Sequence, residues 1–86
     1  MYKRQDVYYH IFHARAICNL QLKNYKEALT DCNWAIFLRP LEGESFLFRA
    51  EAKIRLKDYR EVCSDLDKAM QLGVVQAAAA RKKYCR

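Results

Sequence analysis

The stretch NYKEALTDCNWAIFLRP, residues 24–40, has an echo: DYREVCSDLDKAMQLGV, residues 58–74, starts 34 positions later. Tyr25, Glu27, Asp31, Ala35 and Leu38 of the first return as Tyr59, Glu61, Asp65, Ala69 and Leu72 of the second. The register holds further out. Residues 9–42 laid over 43–76 align without a gap and add Phe12/Phe46, Arg15/Arg49, Ala16/Ala50, Leu22/Leu56 and Lys23/Lys57. One matching segment can arise by chance, but a register kept through a full period marks an internal duplication. The 86 residues therefore read as a single domain, 1–86, or a fragment of a longer array, with repeat one at 9–42 and repeat two at 43–76.

Each copy divides into two helices. Phe12, Arg15, Ala16, Asn19 and Leu22 fall three or four apart, the spacing of one helical face. After a break at Lys23 and Asn24, a second stripe runs through Tyr25, Ala28, Leu29, Cys32, Ala35, Ile36 and Leu38. Pro40 cannot extend that helix, because it has no N–H and disfavours helical geometry at Arg39. Copy two repeats the plan with Phe46, Ala50, Ile54 and Leu56, then Tyr59, Val62, Cys63, Leu66, Ala69, Met70 and Leu72. Asn24 and Asp58 stand where an N-cap would satisfy the orphan amides of each second helix. Gly73 stands where a left-handed closing residue is easiest for glycine.

Small residues at Ala16, Ala28, Ala35 and Ala50 allow close antiparallel pairing, with Tyr25 and Tyr59 filling the wider space near each hairpin. Val62 in place of Ala28 predicts local repacking of the second hairpin. The tail VVQAAAARKKYCR predicts a fifth, capping helix at 75–85, laid against residues 59–72. Asp6 to Tyr9 opens the first helix, with Tyr8 and Tyr9 left as stubs for a preceding repeat. The expected fold is all-α, about five helices in antiparallel pairs stacked as a superhelix.

Composition narrows the function. Apolar residues form 52% of the chain, with two Gly and one Pro, which argues against disorder and leaves little for loops. No run approaches the ~20 apolar residues of a membrane span, and the N-terminus lacks a signal-peptide pattern. The net charge of +6 is dispersed except at Arg81, Lys82 and Lys83, a basic C-terminal patch that suits either an acidic partner or the negative end of a last helix. Cys18, Cys32, Cys63 and Cys85 include no C-x-x-C pair and read as reduced, small apolar residues rather than a disulfide or zinc framework. His10 and His13 lack a second close pair of ligands, so no metal is expected. The expected location is cytoplasmic, with the nucleus as the alternative.

These residues carry a resemblance. A 34-residue helix–turn–helix unit with Ala16, Ala28 and Ala35, Tyr25 at the turn and Pro40 at the end resembles a tetratricopeptide repeat. RAICNLQLKNYKEALTDCNWAIFLRP, residues 15–40, is similar to the middle repeat of co-chaperone-type domains, and residues 48–73 form a less regular copy. The resemblance implies a right-handed superhelix whose first helices line a concave, non-catalytic binding face. It does not bring the carboxylate clamp of the co-chaperone members. Ala14 stands where the clamp has Asn, and Glu44 and Phe48 stand where it has Lys and Arg. In the register one repeat earlier, His13 and Ile17 replace Lys and Asn. Glu44 would repel a carboxylate.

By spacing, the face of the first helices away from their partners carries His10, His13, Ala14, Ile17, Leu20 and Gln21, then Glu44, Leu47, Phe48, Glu51, Ile54 and Arg55. Of these, His13, Ala14, Ile17, Glu44, Leu47, Phe48, Glu51 and Arg55 form the expected groove for a peptide or helix of another protein. Phe48 is either its anchor or a packing residue against the fifth helix or an adjoining repeat. Trp34 reads as structural packing; exposed, it would mark a back-side surface. The function expected is a scaffold module of a larger protein, with no enzyme activity and no cofactor. Co-chaperone-like chaperone-tail binding and nucleic-acid binding through the basic surface are the alternatives. Two repeats also leave open ends through which copies could self-associate.

Overall fold

The computed structural model describes residues 4–85, which form five α-helices: α1 (Arg4–Gln21), α2 (Tyr25–Leu38), α3 (Gly43–Arg55), α4 (Val62–Gln71) and α5 (Ala77–Tyr84). The fold is all-α, and no helix among the described residues is long and apolar enough to cross a membrane. Contacts descend along α2 as they ascend α1: Asp6 meets Arg39, Phe12 meets Trp34 and Arg15 meets Asp31. The pair is therefore antiparallel. Arg49 and Lys53 of α3 both reach Asp65 of α4, the same arrangement in the second copy. His13 meets Phe48, while Leu20 faces Ile54 and Arg55 across a cavity, so α1 and α3 run parallel, side by side.

Two hairpin turns close in the same way. Asn24 N–H reaches Asn19 C=O (2.8 Å) and Lys23 N–H reaches Leu20 C=O (3.1 Å), the Schellman pattern that satisfies the last carbonyls of α1. Asp58 and Lys57 repeat it on Lys53 and Ile54. The closing residues Lys23 and Lys57 are left-handed, at φ 63° and 59°. Gly73 closes α4 likewise, at φ 93°, as its position suggested. Pro40 follows the end of α2 at Leu38.

Several details depart from the sequence reading. Asn24 is the N-cap of α2, but its side chain caps nothing. Asp58 is not a cap. Its carboxylate accepts the Arg60 amide (3.3 Å) and guanidinium (3.0 Å), which turns residues 58–60 instead of winding them. With Glu61 left-handed at φ 61°, α4 starts only at Val62. Tyr59 is consequently exposed and stacks on Tyr84 (6.2 Å) instead of filling the hairpin. At the N-terminus Tyr8 is exposed, but Tyr9 is no stub: it is buried, with the Arg39 guanidinium 4.6 Å over its ring. The capping helix begins at Ala77, because residues 74–76 are spent on the turn out of α4.

The largest correction concerns the cysteines. Cys63 and Cys85 form a disulfide, at a Cα separation of 5.8 Å. They are 22 residues apart in sequence, and only the return of α5 along α4 brings the chain end over the start of α4. Cys18 and Cys32 are free thiols, one exposed and one buried.

The main core lies in copy two: Phe46, Leu47, Ala50, Val62, Leu66 and Ala69, closed by Val74 and Ala77. Apart from Tyr9 at its opening, copy one buries smaller groups, Ala16, Ala28, Cys32 and Ala35. The duplicated arginine and aspartate meet in both copies. Asp31 accepts from Arg15 (2.7 Å) and Asn19 (2.8 Å), and Asp65 accepts from Arg49 (2.7 Å) with Lys53 at 3.3 Å. Buried carboxylates require such partners, since an unpaired buried charge costs several kcal/mol.

Candidate functional site: the α1/α3 face

Helices α1 and α3 present their outward faces together because α2 and α4 occupy the other side of each pair. On this face the His13 and Phe48 rings lie 5.6 Å apart, both half-buried. Ala14 is exposed and Ile17 half-buried on α1; Glu44, Glu51 and Arg55 are exposed on α3. Leu47 does not belong to the face. It is turned into the core, 8% exposed, among Ala50, Leu66 and Ala77. One position along a helix rotates a side chain by about 100°, so Leu47 and its neighbour Phe48 face different surroundings.

At the C-terminal end of this face is a cavity of about 380 Å³, lined by Leu20, Tyr25, Glu51, Ile54, Arg55, Ala80, Lys83 and Tyr84. Glu51 and Arg55 were expected on the binding face. Tyr25, Lys83 and Tyr84 were not expected there. Tyr25 belongs to the repeat signature and Tyr84 to the tail; the path of α5 alone carries its residues to the cavity. Glu51 is exposed by area yet crowded by neighbouring atoms, and this desolvation raises its pKa, with the Arg55 charge pulling the other way. Glu44 lies towards the opposite end of α3, outside the cavity.

The basic C-terminal patch is divided. Arg81 pairs with Asp67 on α4, Lys82 is exposed, and Lys83 lies 5.4 Å over the Tyr84 ring at the cavity edge.

The opposite side of the molecule carries two related depressions. One, about 390 Å³, is lined by Thr30, Asn33, Trp34 and Phe37; the other, about 460 Å³, by Ser64, Asp67, Lys68 and Gln71. These are the same four positions one period apart. Trp34 is 48% exposed and Phe37 75% exposed, so Trp34 packs through one side and leaves the other open. It stacks on Phe12 at 5.8 Å, and Phe37 meets its edge at 6.0 Å.

Comparisons of this chain with family models, curated proteins and solved structures return no match.

Proposed function

We propose that this chain is a tetratricopeptide-type module without catalysis of its own, which binds a peptide or helix of another protein along the α1/α3 face as part of a scaffold. The observation that carries this reading is the placement of Phe48. It stands half-buried beside His13 on the outward α1/α3 face, one helical turn from Glu51 of the cavity lining. A partly buried aromatic beside a cavity is the kind of residue on which binding energy concentrates. His13, Ala14, Ile17, Glu51 and Arg55 share its face.

Binding of nucleic acid is less well supported, because Arg81 of the basic tail is already held by Asp67. Phosphate contact would also demand affinity that falls steeply with salt. A cytoplasmic setting remains part of the proposal, and there the Cys63–Cys85 bond meets reducing conditions.

Phe48→Ala tests the reading. Pull-down from a lysate with wild type and variant, alongside thermal unfolding of both, should show loss of specific partners with at most a small fall in Tm. Unfolding of the variant, or an unchanged partner set, would sink it.

A further inference from the structure

The cavity at the end of the α1/α3 face owes one wall to α5, and α5 is unevenly attached. It has eight residues, fewer than the ~12–15 below which an isolated helix is marginal in water. Its first residue, Ala77, is fully buried in the core. The wall is made further along, by Ala80, Lys83 and Tyr84. Beyond Ala80 the helix is held by partly exposed contacts, the Arg81–Asp67 pair and the Tyr84–Tyr59 stack, and then by the disulfide from Cys85 to Cys63. Ala80 and Cys85 also touch the core, but only as partly buried residues, so the covalent bond is what fixes this end of the helix most firmly.

The lining has a definite chemistry. Leu20, Ile54 and Ala80 supply apolar surface, and Tyr25 and Tyr84 supply ring walls. Against the single carboxylate of Glu51 stand two cations, Arg55 and Lys83, neither in an ion pair among the described residues. About 380 Å³ lies within the range of small-ligand sites. An excess of one cation beside apolar walls suits an apolar group with a carboxylate next to it.

We propose that this cavity is a subsite for a bulky apolar side chain adjoining an acidic residue of a partner peptide, and that the Cys63–Cys85 disulfide holds its α5 wall in place, so that occupancy depends on the redox state. The proposal rests on the α1/α3 face being the peptide-binding face. Opening the latch is thiol–disulfide exchange with a monothiol reductant of the glutathione class. One reductant thiolate attacks a sulfur of the bond and forms a mixed disulfide; a second displaces the protein thiol from it. Cys63 and Cys85 take up two electrons and two protons in all, and the two reductant thiols leave as their disulfide. The end of α5 then frays, and Lys83 and Tyr84 leave the cavity.

The test uses the full chain, ¹⁵N-labelled, and two blocked probe peptides, acetyl-Gly-Phe-Asp-Gly-amide and acetyl-Gly-Phe-Lys-Gly-amide. The aspartate peptide should give saturable amide shifts at Leu20, Ile54 and Ala80 in the oxidised chain, with at least threefold weaker binding of the lysine peptide. Reduction with a dithiol should weaken the aspartate peptide at least tenfold while the α1–α3 resonances stay in place. The Cys63→Ser/Cys85→Ser double variant should match the reduced chain and ignore reductant. Lys83→Glu, with the disulfide intact, should weaken the aspartate peptide and spare the lysine peptide. No shifts at those three residues, or no preference between the peptides, overturns the subsite. Equal affinity before and after reduction, or global unfolding on reduction, overturns the latch. Partner capture that is lost in Phe48→Ala but indifferent to reduction and to Lys83→Glu leaves the binding face standing and removes this proposal alone.

Discussion

The two copies use one plan and end in different states. Each places a phenylalanine under an arginine, Arg15 at 5.5 Å from Phe12 and Arg49 at 5.4 Å from Phe46, and sends that arginine to a buried aspartate. The Arg15 side chain is nevertheless 58% exposed and Arg49 21%. The cause is position. Arg49 also reaches back to Asn33 of copy one (3.1 Å), and its copy is covered by α2 on one side and α5 on the other. Copy one has no such cover over its outer side among the described residues. Identical side chains thus acquire different burial from their neighbours, and burial decides what each interaction contributes.

Removing the shared aspartate from each copy tests this most sharply. Asp65→Ala would leave Arg49 and Lys53, both largely enclosed, without a counter-charge, at a cost of about 3 kcal/mol. Asp31→Ala releases an arginine already in water and should cost clearly less, as urea unfolding of both variants would read. Equal losses would break the comparison.

The opening positions differ next. Tyr9 in copy one corresponds to Gly43 in copy two, where an added Cβ would stand 2.7 Å from Val74 Cγ2 and 2.9 Å from Leu72 Cβ. The turn into α5 crosses directly over Gly43. Gly43→Ala should lower stability by about 2 kcal/mol through overpacking, seen as a lower Tm with unchanged helix content at 20 °C.

Cys32 occupies the position of Leu66, and both are buried. Burial pushes the Cys32 thiol from about 9 up to about 12. Between those values the unfolded chain gives up this proton and the folded chain keeps it. Stability present below pH 9 therefore falls as pH rises, by up to about 1.4 kcal/mol per pH unit from this group. Cys32→Ala should lack that part of the slope in unfolding measured from pH 8 to 11. Tyr9, also raised chiefly by burial, contributes equally to both chains and cancels in the difference.

The smallest effect concerns the outer depressions. Trp34 and Phe37 hold positions that copy two fills with the exposed Lys68 and Gln71, so the fold does not require aromatics there. Trp34→Lys with Phe37→Gln should change unfolding free energy by no more than about 0.5 kcal/mol, apart from the lost Phe12 stack. A large loss would show that copy one relies on its aromatic surface.

Much of this was legible in the residues. Apolar spacing, the break at Lys23, Pro40 and Gly73 place the helices, because these are local backbone preferences with a 3.6-residue period. Phe48, Glu51 and Arg55 were assigned to the outer face on the same ground. Leu47 was misplaced because a helix position at the edge of a stripe is decided by what packs there. The identities Arg15/Arg49 and Asp31/Asp65 were visible, but identity between copies does not say that two positions meet. Asp58 was misread as a cap because Arg60, two residues on, offers its carboxylate a nearer partner.

By itself, then, the sequence determined an all-α chain, a duplicated hairpin and, Leu47 apart, the face each first helix turns outward. All three follow from period and local propensity, which act over a few residues. The tertiary structure alone decided that Cys63 meets Cys85, that Lys83 and Tyr84 wall a cavity with Glu51 and Arg55, and that one arginine of a duplicated pair is covered while the other is wet. Those outcomes depend on which helix lies across which, a relation between residues distant in the chain that no local pattern encodes.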